Sequence, residues 1–114
     1  MDAAKLKEFR ALLQARAAQI DDAERKSADE RAPVEVDQQM VGRLSRMDAL
    51  QVQAMAQETS RRRVNELRRI KAALERIEDG EFGYCLECGE EIAMRRLELD
   101  PAAPLCIACA SGKK

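Results

Sequence analysis

The sequence predicts a mainly α-helical protein: a long antiparallel helical hairpin of coiled-coil type, with a small four-cysteine unit at its C-terminal end. Three observations carry this prediction. Apolar residues recur at helical intervals over two stretches, 3–28 and 38–78. A short proline-bearing stretch, 29–37, separates them. Two Cys-x-x-Cys pairs, Cys85/Cys88 and Cys106/Cys109, stand seventeen residues apart near the end of the chain.

Composition agrees with an elongated helical body. At 114 residues the chain is one small unit or two very small ones, and charged residues make up 36% against 3% aromatic. That mixture is poor material for a globular core and good material for long helices with solvated faces. Lys+Arg 20 against Asp+Glu 21 leaves a net charge of −1, so global charge does not mark a nucleic-acid binder. No apolar run reaches the length of a membrane span. With no histidine, neither a Ser-His-Asp arrangement nor a histidine metal ligand can be built. No Gly-rich phosphate loop is present, and nothing in the sequence places carboxylates or lysines in a pocket. The expectation is therefore a protein that is not an enzyme.

The first helix is expected over residues 3 to about 28, with Asp2 as its N-cap. Leu6, Phe9, Leu13 and Ile20 fall at steps of three, four and seven, and Leu12, Ala17 and Ala23 widen the stripe. Such a seam packs one helix along another. Residues 29–37 break the period. Pro33 disfavours helix at Ala32, and Asp37 is a natural N-cap for the second helix. A connection this short is the form expected between antiparallel helices.

From Gln38 to about Glu78 the helical period returns, with Gly42 an early weak point. Its apolar stripe has two parts: Val41, Leu44, Met47, Leu50 and Met55, then Val64, Leu67, Ile70, Leu74 and Ile77. The polar run from Gln57 to Arg63 divides them. The expected arrangement pairs the first part with helix one, while the second extends past the start of helix one and packs on the cysteine unit. The domains expected are thus 1–78, a hairpin with its tip near 29–37, and 79–114.

The cysteine spacing explains the second domain. Each Cys-x-x-Cys turn can point two sulfurs at one ion, and two turns complete a tetrahedron. Four thiolates suit Zn²⁺, and a filled shell leaves no position for a reacting water, so one structural zinc is expected on Cys85, Cys88, Cys106 and Cys109. Iron could fill the same four sulfurs. Two disulfides would require an oxidising compartment, and no signal peptide precedes the chain. A redox pair would require a βαβ context that is not predicted. Four reduced thiols without a targeting segment point to the cytoplasm. Gly89 comes after the first pair, where a turn needs positive φ. Ile92, Leu97 and Leu105 are the few apolar groups available around the metal, so metal binding should supply this unit's folding free energy.

Several of these residues also resemble a known family. Cys88, Ile92, Arg96, Pro101, Cys106 and Cys109, with the lead-in Asp79-Gly80-Glu81-Phe82-Gly83-Tyr84-Cys85, are similar to the finger of DksA/TraR zinc-finger transcription factors. Leu86 departs, since a small polar or acidic residue usually stands after the first cysteine there. The resemblance implies the same hairpin-and-finger architecture. It implies a regulator that inserts its coiled-coil tip into the secondary channel of bacterial RNA polymerase, near the catalytic Mg²⁺, while its base contacts the channel rim. Initiation is then modulated without sequence-specific DNA contact, by some members together with the nucleotide ppGpp. The better-studied members of the family carry Asp-x-x-Asp-x-Ala at the tip. This chain offers Pro33-Val34-Glu35-Val36-Asp37-Gln38, a departure that argues against ppGpp as a partner.

Charge is segregated along the predicted rod. Asp21 to Asp37 carries net −4, and Arg61 to Lys71 carries net +5. Glu35 and Asp37 are the candidate tip acids. Arg61, Arg62, Arg63, Arg68, Arg69, Lys71 and Arg96 are the candidate rim contacts. The alternative reading is a zinc-finger coiled-coil adaptor or nucleic-acid-binding module. The acids Glu87, Glu90, Glu91, Glu98 and Asp100 argue against phosphate binding by the finger, and Pro33 between matched apolar stretches favours a monomeric hairpin over a dimeric coil.

Overall fold

The computed structural model describes residues 1–28 and 43–112. Among the described residues four helices follow in this order: α1 (Ala3–Lys26), α2 (Arg43–Asp79), α3 (Met94–Leu99) and α4 (Ile107–Ala110). Residues 29–42, including the predicted connection with Glu35 and Asp37, lie outside the described residues.

The first helix forms as its sequence dictates. The Asp2 side chain accepts a hydrogen bond from the Lys5 amide at 2.8 Å, satisfying one of the amides that a helix start leaves unpaired. Arg25 and Lys26 occupy the last turn, where cations complement the helix dipole. At 37 residues, α2 is about 56 Å long. It stops at Gly80, whose φ of +75° favours glycine. There Gly80 N–H donates to Ile77 C=O and Glu81 N–H to Arg76 C=O, a Schellman closure.

The helices run antiparallel. Glu24, near the end of α1, meets Ser60 and Arg63 of α2. Arg10, near its start, meets Glu78. Between these points Phe9, Leu13 and Ile20 are buried with Ile70, Ala73 and Ile77, and Leu67 and Leu74 pack against them. Phe82, Ile92, Leu97, Ala102 and the thiols of Cys85 and Cys109 belong to the same apolar cluster. The Phe9 and Phe82 rings stack with centroids 5.3 Å apart. The cysteine unit is therefore seated on both helices at once, not on an overhang of α2.

This register differs from the expected one. Helix one pairs with the second apolar part of α2, Leu67 to Ile77, while residues 43–59 continue past the contact of Ser27 with Arg63. Half-buried positions of α2 at alternating steps of three and four form one continuous seam: Arg46, Ala49, Gln53, Ala56, Ser60, Arg63 and Leu67, leading to Ile70. Met47, Leu50 and Met55 lie off that seam and are 58%, 49% and 65% exposed. Leu12 of α1 is likewise 54% exposed. The physical reason is joint satisfaction. This register gathers the phenylalanines and large aliphatics into one cluster and pairs Glu24 with Arg63 and Arg10 with Glu78.

Candidate metal centre and the basic face of the long helix

The first cysteine pair sits in a tight reversal. Cys85 N–H donates to Glu90 C=O at 2.8 Å, Gly89 N–H returns to Cys85 C=O at 3.0 Å, and Ile92 N–H closes on Gly83 C=O at 2.7 Å. Gly89 has φ +75°, as the turn requires. The second pair opens α4. Cys106 is the N-cap, and its sulfur accepts from the Cys109 amide at 3.5 Å. Leu86 N–H donates to Pro104 C=O at 2.9 Å and ties the two turns together. Arg96 Nε donates to Leu105 C=O at 2.8 Å, fixing α3 against the strip that leads to the second pair.

These turns converge the four sulfurs. The Sγ atoms of Cys85, Cys88, Cys106 and Cys109 all lie within 4.8 Å of one another. Cys88 and Cys106 are 3.7 Å apart, close to the ~3.8 Å edge of a tetrahedron with Zn–S bonds of about 2.3 Å. A disulfide would bring two sulfurs to about 2.05 Å, and all four cysteines are free thiols. The donor set fits one structural zinc, with four protein ligands and no open coordination position.

Their protonation differs before metal binds. The backbone hydrogen bond from Cys88 brings the Cys85 thiol down to about 6. Burial pushes Cys109 up to about 12, and the neighbouring thiols add to it. Cys88 is raised as well: the Glu90 backbone hydrogen bond lowers it, but burial with the Cys85 and Cys106 thiols outweighs that bond. Metal capture must therefore expel protons held by Cys88 and Cys109.

The predicted basic residues separate into two groups. Arg63 donates to Glu24 at 3.3 Å and Ser27 at 2.9 Å, joining α2 to α1. Arg69 donates to Glu66 at 2.8 Å and Asp100 at 2.7 Å, joining α2 to the end of α3. Arg96 serves the finger itself. Among the described residues Arg61 and Arg62 pair with Glu58 on their own helix, and both stay exposed. Arg68 and Lys71 are exposed with no ion-pair partner among the described residues. Sequence reasoning missed two further latches at the base, Lys5 with Glu98 at 3.5 Å and Arg10 with Glu78 at 2.6 Å. It also missed Phe9 and Phe82 as the join between helix and finger. Both latches span long sequence separations that carry no local signal.

A helical hairpin whose base is closed by a four-cysteine zinc site defines a C4 zinc-finger protein of the hairpin type. Residues 80–114 match the prokaryotic dksA/traR C4-type zinc finger. Over 43 residues, 38% of this chain, it is 51% identical to the RNA polymerase-binding transcription factors DksA of Salmonella typhimurium and Escherichia coli. That stretch spans 28% of the length of those relatives. The fold is similar over the whole chain to transcription factor DksA2 from Pseudomonas aeruginosa. That likeness has a TM-score of 0.73 and 30% identity, covering 99% of this chain and 85% of that one. A DnaK suppressor protein from Agrobacterium tumefaciens is also similar, with TM-score 0.55 and 26% identity over 93% of this chain and 91% of its own. The chain belongs to the DksA/TraR family of zinc-finger proteins.

Proposed function

We propose that this protein regulates transcription by binding bacterial RNA polymerase through its secondary channel, without chemistry of its own and without reading DNA sequence. The observation that supports this best is the likeness to DksA2 along 99% of the chain, which includes the long helix as well as the finger. The geometry agrees. Residues 43–59 of α2 extend about 25 Å past the end of α1, away from the zinc-held base, within a body 64 Å long. A narrow rod with a rigid base suits a deep, narrow opening. Binding there biases a conformational equilibrium of the enzyme by its differential affinity for two states.

Of the candidate rim contacts, Arg61, Arg62, Arg68 and Lys71 are the residues we assign to the partner. Arg63, Arg69 and Arg96 act at one remove, by holding the rod and finger in shape. Glu35 and Asp37 remain the proposed tip acids. The departure from Asp-x-x-Asp-x-Ala counts against ppGpp as a co-regulator. A finger that reads nucleic acid is disfavoured, because Glu87, Glu90, Glu91 and Glu98 are all exposed on its surface and would repel phosphate. No described helix is long and apolar enough to cross a membrane. A polymerase partner places the protein in the cytoplasm, where we propose that it acts as a monomer.

The test is binding of the zinc-loaded protein to RNA polymerase core enzyme in competition with a known secondary-channel protein. Mutual exclusion is the expected result. Absence of binding at micromolar concentration would move the adaptor reading to the front.

A further inference from the structure

The exposed side of α2 has an order of its own. Its inward seam descends in alternating steps of three and four, through Ala49, Gln53, Ala56, Ser60 and Arg63 to Leu67 and Ile70. One residue further on at each step lies about 100° around the helix. There the chain presents Met47, Leu50, Ala54, Gln57, Arg61, Val64, Arg68 and Lys71, all exposed. The steps keep the same three-and-four rhythm, so these side chains form one straight stripe along the rod. It is apolar at the end far from the finger (Met47, Leu50 and Ala54), polar at Gln57, and mainly basic toward the finger, where Val64 sits among Arg61, Arg68 and Lys71. In the far half the usual polarity of a surface helix is reversed: Arg46 and Gln53 lie half-buried in the seam while Met47 and Leu50 face outward.

We propose that this stripe is a docking surface for an elongated amphipathic protein face, apolar at one end and acidic at the other. The proposal rests on the polymerase reading and names the part of this chain that makes the contact. Charge complementarity selects the occupant. A second copy cannot use the same stripe. Paired parallel, Arg61, Arg68 and Lys71 would meet their own copies; paired antiparallel, they would meet Met47 and Leu50. An apolar patch set beside acids satisfies both halves at once. Nucleic acid would engage the basic half and leave the apolar half in water.

Two double variants test it, each confined to exposed side chains: Met47→Gln with Leu50→Gln, and Arg68→Glu with Lys71→Glu. Far-UV circular dichroism checks that both keep the helical signal and melt of the parent. Each is expected to bind RNA polymerase core at least ~10-fold more weakly than the parent. The charge-reversal loss should shrink as salt is raised, and the glutamine loss should persist. If the parent binds and both variants bind within about twofold of it, the stripe is not the contact. A parent that fails to bind overturns the polymerase reading itself and the docking assignment with it. A parent that self-associates in sedimentation, and stops doing so with the glutamine pair, would make a second copy the occupant and overturn the proposal.

Discussion

Glu24 helps to fix the hairpin register alongside the apolar cluster. Its carboxylate is mostly buried, takes the Ser60 hydroxyl at 2.7 Å and faces the Arg63 guanidinium at 3.3 Å. A one-residue slip would leave the apolar seam partly in contact but would strand that charge. Arg63→Met removes the guanidinium and leaves the buried carboxylate short of a partner. It should cost about 1–3 kcal/mol in urea unfolding. Arg68→Met, on the exposed side, should change stability by no more than ~0.5 kcal/mol. The cysteines give a second prediction. Without metal, Cys109 keeps its proton at neutral pH because its thiol is pushed up to about 12, while Cys85 at about 6 is mostly thiolate. Zinc must displace the protons of both Cys109 and Cys88, whose thiol is also raised, so apparent affinity should fall at least ~100-fold per unit drop in pH near neutrality. Linkage sets the sign. The depressed Cys85 value favours the folded thiolate above its ordinary pKa, and that advantage is lost as pH falls through about 6. Below about pH 6 the Cys85 proton competes in addition and the slope should steepen. Competition with a chromophoric chelator between about pH 5.5 and 7.5 measures it, and a flat profile would contradict the assignment.

The helices show how far a periodic pattern can be read. In α1 the stripe Phe9, Leu13, Ile20 was legible because large apolar residues at helical spacing have few ways to leave water together. In α2 Ile70 and Ile77 were legible for the same reason. The far half of α2 was not. There the apolar residues mark the outer side, and the seam is built from Arg46, Ala49, Gln53, Ala56 and Ser60. Periodicity gives the angle between faces, and only the partner decides which of them is inside. Leu12 and Leu13 make the point within one turn, both apolar and both in the predicted stripe. Leu13 is 2% exposed, so Leu13→Ala should cost about 2–5 kcal/mol. Leu12→Ala should cost ~0.5 kcal/mol or less. Paired thermal melts would test this, and equal losses would mean that helix one is rotated from the position described. The helix stop at Gly80 was legible only as part of a finger lead-in. Its φ of +75° makes Gly80→Ala strained, by about 1 kcal/mol.

Metal ligation and helix packing meet in one body. The four cysteines were legible from spacing alone, because four sulfurs at one point need two tight turns and little else. What spacing could not convey is that the finger's few apolar groups join the core between the two helices. Cys85, Cys109, Ile92 and Leu97 share one cluster with Phe9, Leu13, Ile70 and Ala73. The latches Arg69–Asp100 and Lys5–Glu98 cross the same boundary but are exposed enough that screening leaves them little weight. The join is therefore apolar, and zinc stabilises it from one side. Removing the metal should loosen the finger and expose Phe82, which unstacks Phe9 and opens the base of the hairpin. Chelation or Cys88→Ser should thus lower the melting temperature of the helical signal, not only erase finger resonances. Amide exchange should speed up along α1 from Leu6 to Leu13 while residues near Glu24 and Ser60 keep their protection. A finger folded independently of the rod would behave otherwise. Its loss would leave the helical melt and the Leu6 to Leu13 amides unchanged, and that result would overturn the single-cluster account.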